Sequence, residues 1–279
     1  MGPVTHLISA TGLAHEIEDV VVIDVRWTLT TDGSSPGYDE YAAGHVPGAF
    51  FVDLDAELAG PPGDGGRHPL PDPAVVEAAL RRCGISEHTP IVVYDGRESY
   101  AAARAWWVLR WVGVAGVRVL DGGYAAWLRA GLPVSTEIPE PRHGSFVARP
   151  GRLPTLDATG AAELARTGLL LDAREPERFR GEAEPIDPVA GHIPGAVSSP
   201  ASGWLTPDGT FRSDLHEHWA QIAGEHDYDP DRVGAYCGSG VTAAHELLAL
   251  AEIGVDGLLY PGSWSEWIRD PTRPVATGA

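Results

Sequence analysis

The sequence predicts an α/β protein built from two similar halves, each a mostly parallel sheet flanked by helices. Three observations carry this. A repeat runs through the chain, short apolar runs alternate with helix-like stretches, and 279 residues at 43% hydrophobic content suffice for two cores of about 130 residues each.

The repeat has four blocks in one order. Val21-Val22-Ile23-Asp24-Val25-Arg26 recurs as Leu169-Leu170-Leu171-Asp172-Ala173-Arg174, and Gly44-His45-Val46-Pro47-Gly48-Ala49 recurs as Gly191-His192-Ile193-Pro194-Gly195-Ala196. Val92-Val93-Tyr94-Asp95 then aligns with Gly234-Ala235-Tyr236-Cys237, and Gly123-Tyr124-Ala125-Ala126-Trp127 with Ser263-Trp264-Ser265-Glu266-Trp267. Self-similarity on this scale fixes the architecture before any element is assigned. Apolar runs bounded by polar or Gly/Pro punctuation read as buried strands of a parallel sheet. In the first half these are Val20 to Val25, Ile91 to Tyr94 and Val117 to Leu120, with helices over Ala74 to Arg82 and Tyr100 to Val112 as crossovers. In the second half Leu169 to Leu171, Val233 to Tyr236 and Leu258 to Tyr260 are strands, and Ala243 to Ile253 a helix. Between the halves, Pro139 to Pro154 has little helical periodicity and four prolines that each remove a backbone donor, as in a surface linker. The expected division is 1–138, a linker over 139–154, and 155–279.

Acidic residues outnumber basic ones 39 to 20, a formal charge of -19. Such a field repels nucleic-acid phosphates and anionic lipid surfaces, so neither is an expected partner, and an anionic substrate needs a local positive site. The two cysteines, Cys83 and Cys237, sit in unlike contexts without a Cys-x-x-Cys pair. The N-terminal stretch lacks a cationic start followed by an apolar core, and no segment approaches the roughly 20 apolar residues of a membrane span. A reducing, cytoplasmic location is the expectation.

Arg232 to Leu247 reads as strand, small-residue turn and helix, which places Cys237 at the carboxyl end of a buried strand. Ligands bind at that edge of open α/β sheets. Gly238 and Gly240 let the N–H groups from Gly238 through Val241 to Thr242 turn inward as an anion-binding nest, and the following helix adds the positive end of its dipole. Both favour the thiolate, the nucleophilic form. Cys83, at a helix end, reads instead as a small buried hydrophobe. A cysteine phosphatase needs an arginine six positions after its nucleophile, where this chain has Ala243. A P-loop needs a lysine, and none is present. A zinc site needs more ligands at short spacing than Cys237 and distant histidines supply.

Taken together, Asp-x-Arg and Gly-His-Ile/Val-Pro-Gly-Ala in both halves, Cys-Gly-Ser-Gly-Val-Thr-Ala in the second and the closing Gly-Ser-Trp-Ser-Glu-Trp resemble the tandem-domain rhodaneses, thiosulfate and 3-mercaptopyruvate sulfurtransferases, over nearly the whole chain. The resemblance implies two rhodanese-like domains, of which 1–138 is catalytically inactive with Asp95 in place of the cysteine and 155–279 is catalytic. It implies a ping-pong reaction without metal or organic cofactor. The Cys237 thiolate takes a sulfane sulfur from a small anionic donor, 3-mercaptopyruvate or thiosulfate, and passes it to cyanide, a thiol or a thioredoxin-like acceptor. A thiosulfate-specific rhodanese, or a persulfide carrier with little turnover of small donors, are the alternatives.

Thiosulfate-type loops often place basic residues just after the cysteine, whereas Cys-Gly-Ser-Gly-Val-Thr is similar to the mercaptopyruvate form. Those enzymes commonly hold the donor carboxylate with two arginines, in a stretch resembling Arg174 to Ile186; Arg178 matches the first and Ile186 replaces the second. Ser239 relays a proton or caps the helix, and Thr242 braces the loop or caps it too. His45 resembles a histidine near the catalytic serine, although its repeat partner His192 argues for a structural role in both. Arg67 and His68 resemble a cleft-facing loop and would add positive charge there. Trp264 repeats Tyr124, as core or as pocket wall. Asp24 with Arg26 and Asp172 with Arg174 brace strand ends.

Overall fold

The computed structural model describes residues 5–29, 36–224, 229 and 232–278. They form two compact units. Unit 1 holds Met1–Gly60, Leu70–Leu153 and Pro207–Thr210; unit 2 holds Pro61–Pro69, Pro154–Thr206 and Phe211–Ala279. The proline-rich stretch after 138 is bonded into unit 1, where Arg142, Gly144, Phe146, Arg149 and Arg152 donate backbone N–H groups to Arg82, Arg81, Ile85, Val112 and Trp111.

In unit 1, strands β1 (Leu7–Ile8), β2 (Val21–Asp24), β3 (Phe50–Phe51), β4 (Ile91–Tyr94) and β5 (Val117–Leu120) form a parallel sheet ordered β1-β5-β4-β2-β3. In unit 2, β6 (Leu169–Asp172), β7 (Val197–Ser198), β8 (Val233–Tyr236) and β9 (Leu258–Leu259) are ordered β7-β6-β8-β9, again parallel. A parallel bridge from Thr155 to Leu259 adds the counterpart of the β1 pairing. The central strands β4, β6 and β8 are buried along their full length, as runs covered on both faces must be. Helices start where the chain supplies caps: the Asp72 carboxylate accepts from Ala74 N–H at 2.9 Å with Pro73 at the first helical position, and Asp157 accepts from Gly160 N–H at 2.7 Å.

The repeated motifs do the same mechanical work in both units. Arg26 pairs with Asp24 at 2.7 Å and donates to the Gly44 carbonyl at 2.7 Å; Arg174 pairs with Asp172 at 2.6 Å and donates to the Gly191 carbonyl at 2.6 Å. Val46 N–H donates to the Tyr94 hydroxyl, and Ile193 N–H to that of Tyr236, each at 3.1 Å. His45 stacks on Tyr41 and His192 on Phe179, both rings buried and each with Nδ1 2.8 Å from a backbone carbonyl. Asp-x-Arg thus ties a strand end to the Gly-His loop, which explains why both halves carry it.

Helix Thr242–Glu252 packs on the unit 2 sheet and buries Glu246 completely. One Glu246 oxygen is 3.3 Å from the Trp204 indole nitrogen and accepts from the Ser199 hydroxyl, while the other has no partner among the described residues. Burial pushes its pKa up to about 8 from an ordinary 4.5. A carboxyl whose folded value is raised stabilises the fold at low pH, and that contribution is lost as pH rises through the folded value. Unfolding free energy is therefore expected to fall between about pH 4.5 and 8 by up to about 1.4 kcal/mol per pH unit. Denaturant titrations of parent and Glu246→Gln across that range check this; the difference between them carries the slope, and a parallel pair of curves rules it out.

Candidate active site

Cys237 is the first residue after β8. Its N–H donates to the Ser263 hydroxyl at 3.1 Å, and that hydroxyl donates to the Tyr260 carbonyl at 2.8 Å. The carbonyls of Cys237 and Gly238 accept from Trp264 and Ser265 N–H, both at 2.9 Å. The start of the helix Ser263–Trp267 thereby fixes the carbonyl side of the loop, and the loop turns back on its own sulfur. Gly240 has φ +79° and donates its N–H to the Cys237 Sγ at 3.1 Å. A side chain in that left-handed conformation costs about 1–2 kcal/mol, so the glycine is what brings the donor to the sulfur. Val241 is buried and, at the N-cap, makes no side-chain capping bond, and Thr242 opens the helix Thr242–Glu252 with its N-terminus at the loop.

The loop meets a segment that sequence order puts far away. Pro61–Pro69 belongs to unit 2, held there by Arg67 N–H donating to the Ser265 hydroxyl at 3.0 Å. Gly66, at φ +99°, makes the approach passable, since a Cβ there would lie 2.7 Å from the Gly262 carbonyl oxygen. This places His68 Nδ1 2.7 Å from Ser239 Oγ, with both residues buried. Ser239 is therefore hydrogen-bonded to an imidazole rather than capping the helix.

Two guanidiniums flank the same loop. A Cβ on Gly238 would lie 3.1 Å from Arg67 Nη2, 3.6 Å from Arg178 Nη2 and 3.7 Å from Arg178 Nη1. Arg178 is held by Glu184 at 2.7 Å, and burial works against the Glu184 carboxylate while the Arg178 hydrogen bond keeps its pKa below the ordinary value. Ile186, where the resemblance called for a second arginine, is exposed, and the second guanidinium beside Gly238 is that of Arg67.

The side chains of two expected site residues are engaged elsewhere. Trp264 is fully buried in the unit 2 core, its indole N–H donating to the Val189 carbonyl at 2.8 Å and its ring 4.6 Å from the Arg174 guanidinium; it is core, not pocket wall. His45 lies in the unit 1 core with Nδ1 and Nε2 at 2.8 and 3.1 Å from the Tyr41 and Glu137 carbonyls, so both ring nitrogens are engaged and the partner of Ser239 is His68. Ser263 and Ser265, Glu184 and Asp187 were not anticipated. The two serines had a signal: in unit 1 the same backbone pairing recurs, Tyr124 N–H to Asp95 and Ala125 N–H to Gly96, but the serine positions hold Gly123 and Ala125.

At the Cys237 position, unit 1 has Asp95, whose carboxylate accepts N–H bonds from Arg97, Ser99, Ala101 and Ala102 at 3.0–3.2 Å. Burial pushes its pKa up to about 6 despite those four donors. The nest in that half is filled by its own side chain. Cys83 is fully buried, and burial pushes its thiol up to about 12. Among the described residues no group of three or more His, Cys, Asp or Glu could hold a metal ion, and no helix is long and apolar enough to cross a membrane.

The rhodanese-like domain matches twice, at residues 9–130 and 157–270. The chain belongs to the rhodanese family. A putative thiosulfate sulfurtransferase of Mycobacterium tuberculosis is 47% identical over 98% of this chain and 97% of its own length. A probable 3-mercaptopyruvate sulfurtransferase of Pseudomonas aeruginosa is 46% identical over 98% of each. The solved structure of the 3-mercaptopyruvate sulfotransferase SseA of Escherichia coli superposes with a TM-score of 0.80 at 34% identity, over 94% of this chain and all of that one. Like other rhodaneses of this tandem type the protein is a sulfurtransferase, an enzyme that moves sulfane sulfur between a donor and an acceptor.

Proposed function

We propose that Cys237 is the nucleophile of this rhodanese and that its donor is 3-mercaptopyruvate. In the reaction the Cys237 thiolate attacks the donor sulfur, the carbon–sulfur bond breaks, and its electron pair leaves as the pyruvate enolate. The proton that was on the donor sulfur must reach that enolate. The observation that carries the reading is the 2.7 Å contact between Ser239 Oγ and His68 Nδ1 beside the cysteine loop, a relay suited to moving that proton. The Gly240 N–H, the adjoining loop donors and the helix N-terminus stabilise the anionic persulfide that remains. A thiol, cyanide or thioredoxin-like acceptor then removes the outer sulfur and restores the thiolate.

Arg178 binds the donor carboxylate, with Arg67 as the second guanidinium. Unit 1, with Asp95 filling its loop, is a catalytically silent scaffold, and the catalytic domain is the C-terminal half together with the Pro61–Pro69 segment. The acidic surface and reduced cysteines suit a cytoplasmic enzyme.

Steady-state kcat/KM for 3-mercaptopyruvate and for thiosulfate tests the donor. Mercaptopyruvate is expected to be the better substrate, and Arg178→Ala to raise its KM about 10- to 100-fold with a smaller change in kcat. Preference for thiosulfate, or an unchanged KM in the variant, overturns the assignment. Negligible turnover of both, with persulfide still formed on Cys237, identifies a sulfur carrier instead.

A further inference from the structure

No sequence motif marks Asp187, yet it is buried to 8% exposure and ties together the two cations of the site. Its Oδ1 accepts from Arg67 Nη1 at 2.7 Å, and its Oδ2 from Arg178 Nη2 at 3.1 Å and Arg67 Nη2 at 3.4 Å. Glu184 takes Arg178 Nε at 3.0 Å and lies 3.4 Å from Arg174 Nη1, while Arg174 is paired with Asp172. Arg67, Arg174 and Arg178 therefore face Asp172, Glu184 and Asp187, and the cluster is formally neutral before any donor arrives. Two guanidinium positions remain open among the described residues: Arg178 Nη1 donates no hydrogen bond to any of them, and Arg67 Nε is buried without an acceptor. Arg178 Nη1 is also one of the atoms nearest Gly238.

We infer that Asp187 is a specificity-determining residue that limits how much negative charge a donor can bring to Cys237. The inference rests on the proposal that the donor's anionic group is received by Arg178. One carboxylate can use the open Nη1 edge of Arg178 while Asp187 keeps its place. A dianion such as thiosulfate brings a second charge into a cluster that Asp187 has already neutralised, and at this burial like charges a few ångströms apart repel strongly. Specificity of this kind comes from a repulsive element, not from a new attraction.

Asp187→Asn removes the charge and keeps the shape and one acceptor. The ratio of kcat/KM for thiosulfate to that for 3-mercaptopyruvate is expected to rise about tenfold, through a lower thiosulfate KM. Inhibition by sulfite, a dianion at alkaline pH, should tighten more than inhibition by pyruvate, a reading that loop disorder would not produce. Asp187→Glu should keep the parent ratio. If Asp187→Asn does not fold, Asp187→Ser takes its place with the same expectation. An unchanged or reduced ratio in the neutral variant overturns the inference. Because the readout is the change in ratio, it is separate from the parent's own preference, and a parent that prefers thiosulfate would sink the donor assignment alone.

Discussion

Replacing Cys237 by serine should abolish sulfur transfer, with a loss on the order of 10⁴-fold or more, while leaving the fold intact. The residue is 1% exposed in a loop whose N–H and carbonyl groups are bonded by Ser263, Trp264 and Ser265 through its backbone, so the side chain can change without releasing them. A serine hydroxyl is a far weaker acid than a thiol, so the variant keeps an acceptor for the Gly240 N–H but cannot supply the anion that attacks the donor sulfur. Intact-protein mass spectrometry after incubation with donor is the direct check. The parent should gain one sulfur, localised to the peptide containing Cys237, and Cys237→Ser should gain none. Cys83 is an internal control, because full burial and a thiol pushed up to about 12 keep it protonated and out of reach. Cys83→Ser should retain full transfer. Sulfur on Cys83, or turnover surviving in Cys237→Ser, would remove Cys237 from the mechanism.

The repeat made the architecture readable because the same short-range work is done twice. Asp24 with Arg26 and Asp172 with Arg174 sit two residues apart and clamp equivalent carbonyls, so a local motif reports a local bond. The loop around Cys237 was readable for the same reason, since Gly240 and the sulfur it donates to are three residues apart. What the sequence did not reveal depends on chain crossing. The resemblance put Arg67 and His68 near the cleft but not their partners: both lie more than 100 residues before the loop, in the stretch Pro61–Pro69 that folds with unit 2, and only that packing brings them to Asp187 and Ser239. Asp187 was hidden further, because its part depends on two arginines from separate segments converging on one carboxylate. Trp264 misled for the opposite reason: its difference from Tyr124 suggested a ligand contact, but the indole N–H finds its partner in the Val189 carbonyl inside the core.

The Ser239–His68 pair should matter for one donor and hardly for the other. With 3-mercaptopyruvate the carbon–sulfur bond cannot break cleanly unless the enolate is protonated, and the proton originates on the donor sulfur. With thiosulfate the thiolate attacks the outer sulfur, the sulfur–sulfur bond breaks, and sulfite leaves with the electron pair as a stable dianion, so no proton has to move. Ser239→Ala and His68→Asn are accordingly expected to lower kcat/KM for 3-mercaptopyruvate by about 10²- to 10⁴-fold, the usual range for general acid–base participation, and for thiosulfate by less than about tenfold. The 2.7 Å contact predicts further that the double variant loses little more than either single one, because two members of one relay do not contribute independently. A solvent deuterium isotope effect on single-turnover persulfide formation should accompany mercaptopyruvate and vanish with thiosulfate. Equal losses for both donors would mean that Ser239 and His68 only shape the loop around Cys237, and the proton would have to come from solvent.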